Sequence, residues 1–287
     1  MTNYRIITDS CCDFSKDMLA QLDISVTNLT LMFREQVFEE TTDEQLKTVY
    51  DAMRAGEAAT TAAANPENWA GVIEPVVAAG QDALVLAFSS GLSTTYQSAV
   101  IAAQELMEKY PERTIRVVDT LCASLGQGLL VWYACKKRDT GMSLEELNAW
   151  CEEAKYQLCH WFTVDDLMFL KRGGRVSAAT ALVGTMLNIK PVLHMDNEGH
   201  LISKAKVRGR KAALQALAAK VEELGLPGEN DTMFISHGDC LEDAQYLADL
   251  LKKRYGTKEI VIGYVGAVIG SHSGPGTVAL FFLGKNR

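Results

Sequence analysis

Leu84-Val85-Leu86-Ala87-Phe88-Ser89-Ser90-Gly91-Leu92-Ser93-Thr94-Thr95-Tyr96-Gln97-Ser98-Ala99 is the stretch around which the chain organises. Its first five residues are an unbroken apolar run, the mark of a strand buried on both faces. Ser89 to Leu92 are small or flexible, and Ser93-Thr94-Thr95 opens a helical run through Ala99, Ala102, Ala103 and Leu106. A strand that breaks into a hydroxyl-rich turn and then a helix places those hydroxyls at the carboxyl end of a strand. Open α/β sheets bind ligands there, and the free N–H groups of the helix start favour an anion. Capping by Ser93 or Thr94 accounts for one hydroxyl, but the turn carries five between 89 and 95.

Either side of it, apolar runs alternate with helical stripes. Tyr4–Thr8 reads as a strand, followed by a polar turn and a helix over Met18–Leu22. Val26–Phe33 reads as one strand with Val37-Phe38 as a hairpin partner. A capping box at Thr42 starts a helix with a Leu46, Val49, Tyr50 and Met53 stripe. Ala58–Pro66 reads as a loop against which something packs closely. A helix follows over Pro66–Gly80. Ile115–Thr120 is a further buried strand, Leu121–Lys137 a long apolar helix, and Ser143 the cap of a helix through Gln157. This alternation predicts a mostly parallel sheet covered on both faces, in an α/β domain over 1–158.

The pattern then changes. Trp161–Val164 reads as a strand and Asp165–Leu170 as a short helix, leading into the basic turn Lys171-Arg172-Gly173-Gly174-Arg175. A small-residue helix is expected over 178–187. Lys190–Met195 and Leu201–Ala205 flank the turn Asp196-Asn197-Glu198-Gly199 as a hairpin. A helix started by Arg208-Gly209-Arg210 and running to about Leu224, a strand Met233–His237, a helix Leu241–Tyr255 and a strand Glu259–Val265 follow. Ile269–Thr277 reads as a glycine-rich turn before a last strand, Val278–Leu283. These features predict a smaller α+β domain with an antiparallel sheet over 159–287.

Composition narrows the function classes. The chain has 287 residues, 48% of them hydrophobic, enough for a sizeable core. No apolar run reaches the ~20 residues of a membrane span, and no secretory leader is read at the start. A net charge of −8 argues against non-specific binding to nucleic acid or an anionic membrane, leaving at most transient membrane contact. Seven scattered cysteines without a C-x-x-C pair suit a reducing cytoplasm and predict neither a disulfide framework nor a metal site. No nucleophile elbow, H-E-x-x-H pair, phosphate-binding P-loop or dinucleotide fingerprint is present. Among five histidines, His160, His194 and His200 read as incidental and His237 as ambiguous. His272 stands out because it lies in a glycine-rich segment where an imidazole can meet an anion. Arg172 and Arg175 flank two glycines, an arrangement that suits a carboxylate or phosphate but also a solvated turn.

Six pieces in order carry a family resemblance: Ile7-Thr8-Asp9-Ser10; Ser90-Gly91-Leu92-Ser93 with Thr95-Tyr96-Gln97-Ser98; Val118-Asp119-Thr120; Leu170 to Ser177; Leu187-Asn188-Ile189-Lys190-Pro191; and His272-Ser273-Gly274-Pro275-Gly276. The chain resembles the DegV family of bacterial fatty-acid-binding proteins, which includes the FakB subunits of the fatty acid kinase system. The resemblance implies a long-chain fatty acid in an apolar tunnel, its carboxylate held by Thr61 and Ser93, with Thr94 and His272 beside it. Arg175, with Arg172 nearby, bears on the head group and on a separate kinase that forms the acyl phosphate. No cofactor is implied beyond the bound fatty acid. Two positions depart from the family pattern. Thr61 is followed by Ala62-Ala63-Ala64 in place of Ser-Gln-Pro, and Thr94 stands where glycine is usual.

The chemistry fits such a role. Sequestering about 16 methylenes contributes on the order of 10 kcal/mol before ordering costs, at about 0.8 kcal/mol each. A few neutral hydrogen bonds then suffice at the head group. Two other functions stay open at this point: an acyl- or phosphoryl-transfer enzyme using Ser93, Thr61 and His272, and a regulatory module that binds a small anion.

Overall fold

The computed structural model describes residues 4–177 and 188–287. The helix expected over 178–187, and Leu187 of the fifth family motif, lie outside them. In chain order the elements are β1 (Tyr4–Asp9), α1 (Lys16–Leu22), β2 (Ser25–Thr27), β3 (Thr30–Phe33), β4 (Gln36–Phe38), α2 (Asp43–Arg54), β5 (Thr60–Ala62), α3 (Pro66–Ala78), β6 (Asp82–Ala87) and α4 (Thr95–Lys109). They continue with β7 (Ile115–Asp119), α5 (Leu125–Asp139), α6 (Leu144–Ala154), β8 (Leu158–Thr163), α7 (Met168–Arg172), β9 (Ile189–Met195) and β10 (Leu201–Arg208). The last are α8 (Arg210–Leu224), β11 (Thr232–His237), α9 (Leu241–Tyr255), β12 (Glu259–Tyr264), α10 (Ala267–Ser273) and β13 (Val278–Leu283).

The strands form three sheets. The first, β2-β1-β6-β7, is parallel throughout, and the apolar run Ala83–Ala87 of β6 is buried on both faces. Trp69, Ile73, Ala99 and Leu106 of α3 and α4 pack on one face. Val131, Cys135, Leu147 and Cys151 of α5 and α6 pack on the other. The second sheet runs β10-β9-β8-β13-β11-β12. Its pairings are antiparallel except β11–β12, which are parallel because α9 carries the chain back between them. Side chains alternate strictly along β8 and β13. Cys159, Trp161, Leu280 and Phe282 meet α8 and α9, whereas Phe162, Ala279 and Phe281 meet α5.

Helix α5 therefore lies between the two sheets. Its Leu125, Leu129 and Leu130 face the second sheet and its Val131 and Ala134 face the first. A helix apolar all round is a buried helix, which accounts for the absence of an amphipathic stripe in its sequence. The architecture is α/β with a fully parallel sheet and a second, largely antiparallel one.

Four expectations differ in detail. The run Val26–Phe33 is two strands, because Leu29 turns the chain from the first sheet into a small third one, its N–H donating to Ser10 Oγ at 3.0 Å. Ala58–Pro66 is not all loop, since β5 pairs antiparallel with β3 and sets Leu31 opposite Thr61. The long helix starts at Leu125 rather than Leu121, because Leu121 and Ser124 take φ of 52° and 56°. Ile269–Thr277 is not a continuous turn. Helix α10 runs to Ser273, and the turn is confined to Gly274 and Gly276, with φ of 83° and 77°.

Candidate functional site

A cavity of about 490 Å³ opens between the first sheet's carboxyl end, the Ala123-Ser124 segment that leads into α5, α10 and the α5-facing side of the second sheet. Its walls draw on both 1–158 and 159–287. Leu29, Phe88, Leu92, Phe162, Leu170, Met195, Leu201, Val268, Ile269 and Phe281 make it largely apolar. Thr61, Ser93, Thr94, Arg175 and His272 all line it. Arg172 is exposed and is not among the lining residues. Its guanidinium stacks on Phe169 at 4.5 Å from the ring centroid.

The polar residues converge from distant segments. Strand β5 presents Thr61, whose Oγ1 lies 2.8 Å from His272 Nε2. The Ser-Gly-Leu-Ser turn after β6 is built by Ser89, whose carbonyl accepts from Leu92 and Ser93 N–H at 3.1 and 3.2 Å. Ser93 Oγ lies 2.8 Å from Thr95 Oγ1 and accepts from the Thr95 N–H at 3.2 Å. Thr94 occupies the cap position of α4 with an exposed side chain and makes no capping bond. Arg175 ties the basic turn to the hydroxyl turn: its Nε donates to the Leu92 carbonyl at 3.3 Å, and its Nη1 donates to the Gly173 carbonyl.

Two glycines permit these approaches. A Cβ on Gly173 would stand 2.3 Å from His272 Nδ1, so the imidazole packs directly on that backbone. A Cβ on Gly91 would stand 2.7 Å from both the Glu198 and Gly199 carbonyl oxygens. The hydroxyl turn is thereby docked on the β9–β10 turn, and Ser89 Oγ donates to the Gly199 carbonyl at 3.0 Å.

Burial, and then the charge of Arg175, push the His272 pKa down to about 4. The ring is neutral near neutrality. Burial also lowers the Arg175 pKa, but a guanidinium stays charged in proteins. The site thus offers neutral hydroxyls, a neutral imidazole and one cation, a set that can bind an anion. It lacks the arrangement of a Ser-His-carboxylate triad. The Ser93 hydroxyl is bonded to Thr95, and the hydrogen-bond partner of His272 among the described residues is Thr61. Among the described residues no group of three or more His, Cys, Asp and Glu side chains could hold a metal ion. No helix among them is long and apolar enough to cross a membrane.

Three lining residues escape a reading of the sequence. His160, taken as incidental, lines the cavity. Its Nδ1 lies 3.0 Å from the Leu158 carbonyl and its Nε2 accepts from the Ala123 N–H at 3.3 Å. Burial holds its pKa well below the usual histidine value. Strand alternation with Phe162 is the signal that could have placed it. Ser124 Oγ donates to Asp13 Oδ2 at 2.5 Å and lies 2.7 Å from Ser236 Oγ. Burial raises Asp13 to about 7. Ser273 is the third, with its hydroxyl buried and unbonded among the described residues.

The fold and site define an α/β protein with a largely apolar internal cavity, polar at the mouth of the first sheet. The family model described as "Uncharacterised protein, DegV family" matches residues 3–285, and the chain belongs to the DegV family. It is 43% identical to a DegV domain-containing protein of Clostridium perfringens over 289 residues, covering 100% of this chain and 99% of that one. A DegV family protein from Thermus thermophilus, described by its fatty acid binding, superposes with a TM-score of 0.88 at 32% identity over 99% of this chain and 100% of that one. A DegV lipid-binding protein from Thermotoga maritima superposes with a TM-score of 0.85 at 30% identity, covering 100% of both chains.

Proposed function

We propose that the chain binds a long-chain fatty acid, with the acyl chain in the cavity and the carboxylate at Thr61, Ser93, Thr94 and His272. The observation that carries this reading is the pairing of Thr61 with His272 in the wall of a largely apolar chamber. Ligand cavities of this kind enclose about 300–1,000 Å³ and use a few polar groups to fix orientation. The fatty acid binding of the Thermus thermophilus relative and the lipid binding of the Thermotoga maritima one support it. Arg175 balances the carboxylate charge and holds the hydroxyl turn through Leu92.

The chain then acts as a carrier and not as the catalyst. It presents the carboxylate to a separate ATP-dependent kinase, which forms the acyl phosphate, as the family resemblance implies. Arg172, exposed beside the site, suits the surface that such a partner meets. Calorimetric titration of the delipidated protein with oleate and palmitate tests the binding. Saturable one-to-one heat is expected, and no heat with either acid overturns the reading. Acyl phosphate formed only when a fatty acid kinase and ATP are added tests the presentation step.

A further inference from the structure

The cavity carries polar groups besides the Thr61–His272 pair. Ser273 is 5% exposed, lines the cavity, and its hydroxyl has no hydrogen-bond partner among the described residues. It follows His272 on helix α10, so its side chain is turned about 100° from the imidazole. The neighbouring Thr277 hydroxyl donates to the Ser273 and Gly274 carbonyls at 3.1 and 2.8 Å and makes no bond to the Ser273 hydroxyl. Thr277 leads into β13, where Ala279 sits opposite Ser236, and Ser236 meets Ser124. Ser124 also lines the cavity, and its proton is given to Asp13. It is left as an acceptor.

A purely hydrocarbon occupant leaves the Ser273 hydroxyl buried and unmatched, which is the costly state for a polar group. A hydroxyl on the occupant removes that cost by pairing with Ser273. We propose that Ser273 forms a second polar subsite, in a cavity that Ser124 also lines, and that it selects an oxygenated acyl chain, a monohydroxy fatty acid, over its unsubstituted parent. This deepens the fatty-acid reading and rests on it.

The test is competition between stearate and a series of monohydroxystearates that differ in hydroxyl position, on the wild-type chain and on Ser273→Ala. At least one member is expected to bind about tenfold more tightly than stearate, the effect of one hydrogen bond that relieves a buried orphan. In Ser273→Ala the ratio of the two affinities is expected to fall to about one. Ser273→Cys, nearly isosteric and a weak donor, is expected to give an intermediate ratio. If stearate binds but no hydroxystearate exceeds it, the subsite is overturned while the fatty-acid reading stands. A ratio unchanged by Ser273→Ala overturns it as well, and assigns Ser273 to the head group or to a bound water. If the folded wild-type chain takes up none of the acids, both readings fall.

Discussion

The Thr61 hydroxyl and the His272 imidazole meet at 2.8 Å across 211 residues of chain. Strand β5 supplies one and the end of α10 the other, so the pair exists only when the third sheet and α10 are both seated. If this pair and Ser93 hold a carboxylate, the Thr61→Ala, Ser93→Ala double variant loses two hydrogen bonds to a charged group. At about 1.5 kcal/mol each, affinity for oleate should fall roughly 100-fold. Calorimetry decides it, and full retention of affinity would remove these residues from the head-group site.

His272 should report the ligand through its own titration. In the free protein burial holds it at about 4, and a carboxylate at hydrogen-bond distance favours the imidazolium. Its pKa should therefore move up on fatty-acid binding, which imidazole proton shifts in an NMR titration will show. In the free protein the folded value lies below the ordinary 6.5. The stability it contributes is present above 6.5 and is lost as pH falls towards 4.

Asp13 gives the opposite slope. Burial raises it from 3.8 to about 7, and Asp9 likewise to about 6. A carboxyl whose folded pKa is raised contributes its stability below the unfolded value and loses it as pH rises through the folded one. Asp13→Asn should therefore flatten the decline in stability between about pH 4 and pH 7. Thermal melts of variant and wild type across that range will show whether their difference changes with pH.

Gly91→Ala should be more damaging than Gly173→Ala. The new methyl at 91 meets two backbone oxygens at 2.7 Å, which cannot step aside. At 173 it meets the His272 ring, which can rotate at the expense of its Thr61 contact. Overpacking of this kind typically costs about 1–3 kcal/mol. Gly91→Ala is expected to lower the melting temperature, whereas Gly173→Ala is expected to act mainly on ligand affinity.

Much of this was legible beforehand, for physical reasons. The apolar run of β6 reads as a central strand of a parallel sheet, and the hydroxyl turn after it lies where it was expected. Helix α9 and strand β13 were readable to the residue, because Gly256 ends the one and the other is a single apolar run between Thr277 and Gly284. Features that depend on distant partners were not readable. Strand β5 is only three residues long, set in an alanine-rich stretch, and exists by pairing with β3. Leu121 and Ser124 take positive φ because the β7–α5 connection demands it, and nothing local announces that. His160 becomes a wall residue through strand alternation with Phe162, which the sequence carries, and through the Ala123 N–H, which is not visible around it in the chain.

The most direct measurement is solvent extraction of the purified native protein, with mass spectrometry of whatever is released. A long-chain fatty acid at close to one per chain is the expected result. A protein that releases no acyl lipid, and then fails to take up oleate or palmitate when offered, would contradict the account at its centre.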